Sequence, residues 1–374
     1  MSTISNMKKA LASIVSLILL AVSLSLPAHA AVKAGAKCSK VGITTIVSGK
    51  VFTCKKSGKK LTWGKGIILK PIAEPIFGSP EQSLAYENMK LEMAPQPVQE
   101  LFRFHYSPSA VQSFKDHLES DLRVSMSYWT KVYDNKVLFN VFYGTEKDLD
   151  WLIDAWRPYG FDKNNGFAED LRARIQREGS RLNAGAVPNQ SDSSHLSILR
   201  HSSFLARADA FIPHENTHII QQYLSKSHKD RMPCWLREGS ANLFGNFILA
   251  EKTDRNTYSL AKRNDMNSFL SGSSGVDLRV FASEDWFKHL KSLEGSANGG
   301  CDYIYRFAYG SGLLLSELLM ADGGFNKMMD FWRAFSLEKD WRLSFKEIYG
   351  SDIDSWYREK AIPYLLREYV RISK

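Results

Sequence analysis

Two short motifs, separated by a single turn, most constrain how this chain can fold. The run from His214 to His218 reads H-E-N-T-H, and on a helix its two histidines lie four residues apart on one face. Glu238 follows twenty residues after His218, with Pro233 marking a turn between them. The chain can therefore leave one helix, turn, and return antiparallel, which would bring the Glu238 carboxylate over both imidazoles.

Two histidines and one glutamate are a known ligand set of catalytic zinc sites, which leave the fourth coordination position to water. We therefore predict one zinc ion per chain, held by His214, His218 and Glu238. Glu215 projects beside the ligand face, where it can take a proton from metal-bound water. It is the predicted general base.

H-E-x-x-H followed by W-L-x-E-G-x-A, here residues 235–241, resembles the gluzincins, specifically the aminopeptidase-N-like (peptidase MA-like) superfamily of metallopeptidases. The resemblance covers roughly residues 105 to 370 and implies the same three zinc ligands and the same base. It also implies a tyrosine in a Y-x-x-G motif whose hydroxyl stabilises the oxyanion. Tyr309 fits that position, and Tyr303 and Tyr305 are second choices.

The function that follows from these motifs is hydrolysis of peptide bonds in a peptide or protein substrate. Aminopeptidases of this group carry G-x-M-E-N, whose Glu holds the substrate amino terminus, and the nearest segment here, residues 183–189, lacks that Glu. Cleavage inside a chain and at its end both stay open. So do two other functions: a catalytically inactive zinc-binding adhesion or scaffold module of the cell envelope, and a zinc hydrolase of non-peptide substrates. An intact Glu215 disfavours the inactive module.

Residues 1–30 have the pattern of a secretory signal peptide. Lys8 and Lys9 precede an apolar stretch at residues 11–26, and Ala28-His29-Ala30 is a small-x-small cleavage pattern. A retained membrane anchor is the alternative, because the apolar stretch is only slightly short of a bilayer span. We expect a secreted or cell-envelope protein.

The net charge of +9 is concentrated at the amino terminus. Residues 1–70 contain twelve lysines and no acidic residue, and without them 37 basic residues face 40 acidic ones, a balance of −3. A nucleic-acid enzyme would carry its positive field around the active cleft, so no nucleic-acid partner is predicted. The ten lysines of residues 33–70 suit either an anionic cell-envelope polymer or a solvated spacer. The oligomeric state is left open.

The chain divides on composition into four parts. After the signal peptide, residues 31–70 read as a small lysine-rich β module whose core is too small to be stable alone, which a Cys38–Cys54 disulfide would remedy. Cys234 would then pair with Cys301, although four cysteines permit three pairings. Residues 71–98 are rich in proline and read as a linker with at most one short helix around residues 84–91. Residues 99–374 form the predicted metallopeptidase domain.

The predicted fold class is α+β. Residues 109–133 and 147–156 have helical periodicity, residues 137–143 and 195–204 alternate as strands, and from Asp209 onward the pattern is helical. The resemblance implies a thermolysin- or gluzincin-like catalytic domain, in which a mixed sheet and the active-site helices precede a helical carboxyl-terminal subdomain.

Overall fold

The computed structural model describes residues 32–41, 44–47, 50–68, 78–98, 102–134, 139–145, 147–159, 173, 176, 183–184, 195–200, 210–268, 270, 277–295, 305–337 and 339–372. They belong to two compact units, with the division between Pro71 and Ile72. The predicted signal peptide lies outside the described residues. Within the described part of the chain, none of the helices combines the length and the apolar character that a membrane crossing requires.

The amino-terminal unit is an antiparallel sheet. Its strands are β1 (Thr44–Val47), β2 (Lys50–Ser57), β3 (Lys60–Trp63) and β4 (Ile67–Ile68), and β2 pairs with each of the others. Phe52 and Cys54 share one face of β2, and Cys54 lies opposite Trp63. Together with Cys38 they form the core. The predicted Cys38–Cys54 disulfide is confirmed, with 5.9 Å between the two Cα atoms.

The second unit contains a four-stranded sheet. It consists of β5 (Phe102–Tyr106), β6 (Phe139–Thr145), β7 (Asn183–Ala184) and β8 (His195–Arg200), in the order β5-β6-β8-β7. β5, β6 and β8 run parallel, and β7 pairs antiparallel with β8. β6 is buried along its whole length because it lies between two neighbouring strands.

Helices make up most of the second unit. They are α1 (Pro80–Glu92), α2 (Gln112–Trp129), α3 (Leu149–Trp156), α4 (Phe211–Leu224), α5 (Cys234–Lys252), α6 (Asn256–Ser268), α7 (Ser283–Ser292), α8 (Tyr305–Ala334), α9 (Trp341–Tyr349), α10 (Ile353–Trp356) and α11 (Ile362–Ile372). α2 joins the parallel strands β5 and β6, as a parallel connection requires. The mixed, mostly helical architecture confirms the fold class at that level.

α1 lies in the segment predicted as a linker, and it is longer than the short helix expected there. Ser79 caps it by accepting a hydrogen bond from the backbone of Gln82, and Pro80 occupies the first turn, where a missing N–H costs nothing. The Asn88 side chain donates to the carbonyl of Met320, 2.8 Å away in α8. These contacts place α1 in the core of the second unit.

α5 is the central helix of the second unit. Its residues 234–250 are all buried, because it packs against α4 on one side and α8 on another. Such a helix needs apolar side chains around most of its circumference, and α5 supplies them. They include Trp235, Leu236, Leu243, Phe244 and Phe247.

α5 and α8 cross with their backbones in contact. A Cβ atom at Gly239 would overlap the backbone of Gly312, and one at Gly312 would overlap the carbonyl of Trp235. Only glycine permits an approach this close. Farther along, α8 bends at Gly324, whose φ of 75° lies in the left-handed region.

Candidate metal centre

His214 and His218 lie one helical turn apart on α4, and their imidazoles converge. Their Nε2 atoms are 3.1 Å apart. The first turns of α5 bring Glu238 Oε2 to 3.3 Å from His218 Nε2 and 3.7 Å from His214 Nε2. All three residues are buried. The structure thus brings together the three predicted ligands, in a group that could hold a metal ion.

The spacing of these three atoms fits a tetrahedral ion. Imidazole nitrogen and carboxylate oxygen bind zinc at about 2.0–2.2 Å, which separates two ligand atoms of a tetrahedral set by roughly 3.3 Å. The three observed separations lie on both sides of that value. Glu238 Oε2 is also buried with no hydrogen-bond partner among the described residues. A buried carboxylate oxygen without a partner is costly, and a bound cation would remove that cost.

Arg237 holds the other oxygen of Glu238. Its Nε donates to Glu238 Oε1 at 3.2 Å, and one terminal nitrogen donates to Asp230 at 3.0 Å. The arginine is itself largely buried, so the ion pair is poorly screened. Because Oε1 is engaged, a single oxygen of Glu238 faces the histidines.

His218 is contacted from its far side by Gln221, three residues farther along α4. His218 Nδ1 and Gln221 Oε1 are 2.8 Å apart. The Gln221 amide nitrogen donates to the Arg237 carbonyl at 2.8 Å and to Ser240 Oγ at 3.0 Å. The orientation of His218 therefore depends on contacts with both α4 and α5.

His214 has different neighbours. Asn242, one turn after Glu238, lies beside His214 and acts to raise its pKa. The Asn242 amide also donates to the carbonyl of Tyr309 at 3.4 Å. The Tyr309 ring stacks on His214 with 5.6 Å between centroids and 21° between planes. Tyr309 thus lies at the border of the centre.

The electrostatic environment of the centre favours a cation. Burial by itself would raise the pKa of Glu238, but the two imidazoles lower that pKa well below its ordinary value. Burial would lower the pKa of His214, yet the neighbouring carboxylates of Glu238 and Glu215 raise it. The two carboxylates therefore attract positive charge to the imidazoles.

Glu215 is buried beside His214 on α4. The centre thus combines two imidazole nitrogens and one carboxylate oxygen as donors with a second carboxylate that can accept a proton. Donors of these kinds, with a carboxylate beside them, are the groups that hydrolysis by a metal-activated water uses.

Three residues of the surroundings were not foreseen: Gln221, Arg237 and Lys229. Gln221 could have been found, since three-residue spacing on a helix places it beside His218. Arg237 directly precedes a ligand, but its inward direction depends on how α5 packs. Burial lowers the pKa of Lys229, while Asp230 and Glu238 act against that change. No pattern in the sequence marks Lys229.

Several predictions fall outside the described residues. Tyr303 and Cys301 are among them, and so are residues 185–189. Only the backbone of Tyr305 is described. Cys234 is disulfide-bonded.

No protein-family model matches this chain, and no curated protein or solved structure matches it either.

Proposed function

We propose that this protein is an exported zinc-dependent metallopeptidase. One observation carries the proposal: Glu238 Oε2 is buried without a hydrogen-bond partner among the described residues and faces two imidazole nitrogens with tetrahedral spacing. A set of three mixed nitrogen and oxygen donors is typical of catalytic zinc, which keeps its fourth position for water.

Three side chains would hold the ion and a fourth would move the proton. His214, His218 and Glu238 are the ligands. When bound, zinc lowers the pKa of its water to about 7 and polarises the substrate carbonyl. Glu215 takes the proton of the attacking water and passes it to the leaving amine. The Tyr309 hydroxyl donates to the oxyanion, a contribution of about 3 kcal/mol in comparable sites.

The gluzincin resemblance supplies the finer proposal for fold and substrate. We propose that residues 99–374 form a gluzincin-like catalytic domain acting on a peptide or protein. Support comes from the order of elements: the sheet precedes α4 and α5, and helices follow. Support also comes from Tyr309, since a Y-x-x-G tyrosine borders the candidate ligands.

The amino-terminal unit suits attachment to an anionic cell-envelope polymer. Eight of its lysines are described and exposed: Lys33, Lys37, Lys40, Lys55, Lys56, Lys59, Lys60 and Lys65. Residues 1–70 contain no acidic side chain to neutralise them. We propose export by residues 1–30, followed by retention through this unit.

The decisive experiment compares the wild type with Glu215→Gln for zinc content and casein cleavage. We expect both proteins to bind one zinc per chain and the variant to lose about 10²- to 10⁴-fold in activity. Glu347→Gln, an exposed change on α9, is the matched control and should leave both unchanged.

Other outcomes would replace the proposal. Zinc binding by the wild type without cleavage of casein or of a mixed peptide library would favour an inactive binding module. Cleavage of an ester but of no peptide would favour a hydrolase of non-peptide substrates. Absence of bound zinc would end the metallopeptidase proposal.

A further inference from the structure

We infer that Gln221 and Ser240 are positioning residues that fix the proton of His218 on Nδ1 and so leave Nε2 free to bind the metal. The inference concerns the ligand set of the proposed function. Neither residue touches the ligand-facing atoms, so both act through His218.

The hydroxyl proton of Ser240 has an assigned acceptor. Ser240 Oγ donates to the carbonyl of Leu236, one turn earlier on α5. A hydroxyl has one proton to donate. Towards Gln221, at 3.0 Å, Ser240 Oγ therefore acts as an acceptor.

Ser240 and the Arg237 carbonyl together fix the orientation of the Gln221 amide. The carbonyl is an obligate acceptor 2.8 Å away, and the hydroxyl oxygen accepts as well. Two acceptors require the NH₂ end of the amide on that side. A flipped amide would direct Oε1 at both acceptors and lose two hydrogen bonds. The Oε1 end therefore faces His218.

The orientation of Gln221 in turn selects the tautomer of His218. Gln221 Oε1 has no proton, so the 2.8 Å contact requires a proton on His218 Nδ1. A neutral imidazole carries one N–H, so Nε2 is left with its lone pair. His218 Nε2 lies 3.1 Å from His214 Nε2 and 3.3 Å from Glu238 Oε2.

The other tautomer would direct an N–H bond into the ligand set. Its Nε2 could not bind a metal until the proton moved, and Gln221 Oε1 would face an unprotonated nitrogen. Orienting partners of this kind typically contribute about 10- to 100-fold in metal affinity. These hydrogen bonds therefore select the metal-binding tautomer of His218 in the metal-free protein.

A direct test reads the tautomer in the metal-free protein. Histidine labelled with ¹⁵N gives two-bond ¹H–¹⁵N correlations that distinguish Nδ1–H from Nε2–H, and His218→Asn identifies the signal. For the neutral ring, we expect Nδ1–H in the wild type and a mixture of both forms in Gln221→Leu. A wild-type signal from Nε2–H would overturn the inference.

A second measurement is zinc affinity by competition with a chromogenic chelator. Gln221→Leu should weaken binding by about 10- to 100-fold, and Ser240→Ala, which keeps the Arg237 contact, by less. Gln222→Leu is the matched control on the same helix and should leave the affinity unchanged. Equal affinities for Gln221→Leu and Gln222→Leu would overturn the inference.

The two proposals fail separately. If the wild type binds no zinc, the proposed function fails, whereas the tautomer of the metal-free protein still decides the role of Gln221. If zinc binds and peptides are cleaved but the tautomer is Nε2–H, only the positioning role is lost.

Discussion

Two buried clusters of charged side chains among the described residues of the second unit differ in one respect: the first is complete and the second is not. In the complete cluster, Lys262 on α6 donates to Glu317, Glu368 and Tyr364. Tyr258 donates to the second oxygen of Glu317 at 3.0 Å. Arg371 donates to the second oxygen of Glu368 at 2.9 Å. Every carboxylate oxygen has a donor, and two cations balance two anions.

The other cluster, formed by His214, His218 and Glu238, is equally buried but is not balanced in this way. Glu238 Oε2 has no hydrogen-bond partner among the described residues, and two imidazole nitrogens face each other across 3.1 Å. The same helix bundle therefore satisfies one set of charges internally and leaves the three ligand atoms of the other facing one another. Burial of charge alone does not indicate a metal site, whereas a set of converging acceptors does.

The largest effect is expected where the complete cluster is broken. Lys262→Met leaves two carboxylates buried without their shared cation and should lower the free energy of unfolding by about 3–5 kcal/mol. Urea denaturation measures this loss. Lys360→Met, which removes a half-exposed lysine, is the control. A loss as small as that of the control would mean that the cluster contributes little.

Binding of zinc to the incomplete cluster should have the next largest effect, an increase in the free energy of unfolding. Zinc at about 1,000 times its dissociation constant should stabilise the wild type by about 4 kcal/mol. Thermal unfolding with and without a chelator measures this shift. Lys262→Met should keep the shift and Glu238→Ala should lose it. A zinc-dependent shift in Glu238→Ala would place the bound ion elsewhere.

His289 tests whether a buried atom without a hydrogen-bond partner is enough to make stability depend on zinc, as expected for Glu238. Its Nε2 has no hydrogen-bond partner among the described residues, and burial against Phe281, Trp286 and Phe307 lowers its pKa from 6.5 to about 4. The unfolded chain binds the proton more readily, so stability is complete above pH 6.5 and falls as the pH drops towards 4.

The stability lost in that pH window amounts to about 3 kcal/mol. Denaturant titrations of the metal-free protein across the window should show the loss in the wild type, and His289→Leu should lack that part of it. Zinc should not alter the difference between the two proteins, because a single nitrogen in an aromatic surrounding is no ligand set. A zinc-dependent difference would contradict the comparison.

The smallest effect is expected at the edge of the complete cluster. Arg371 is 40% exposed, so water can replace its contact with Glu368. Arg371→Ala should cost at most about 1 kcal/mol in urea denaturation. A loss as large as that of Lys262→Met would show that the exposed Arg371 stabilises the cluster as much as the buried Lys262 does.

The candidate ligands could be predicted because their spacing follows from helix geometry alone. Two histidines four residues apart must share a face, and a turn between α4 and α5 leaves few places for Glu238. Their gathering in the structure confirms that part of the prediction. Zinc itself and the peptidase activity remain proposals, since no sequence or structural match bears on them.

The surroundings of the ligands were harder to predict. Arg237 acquires its role from how α5 packs, which no local pattern encodes. In the sheet, β5 was not predicted, although F-R-F-H-Y alternates, because the proline-rich stretch before it reads as a linker. β4 and β7 contain two residues each, too few for periodicity to appear.

The glycine contact between α5 and α8 has a consequence for how such a centre can vary. With no side chain at Gly239 or Gly312, the spacing between the two helices is set by backbone atoms and cannot be tuned by exchanging one residue for a larger one. Glu238 on α5 and Tyr309 on α8 therefore lie on two helices whose separation is fixed by backbone contact.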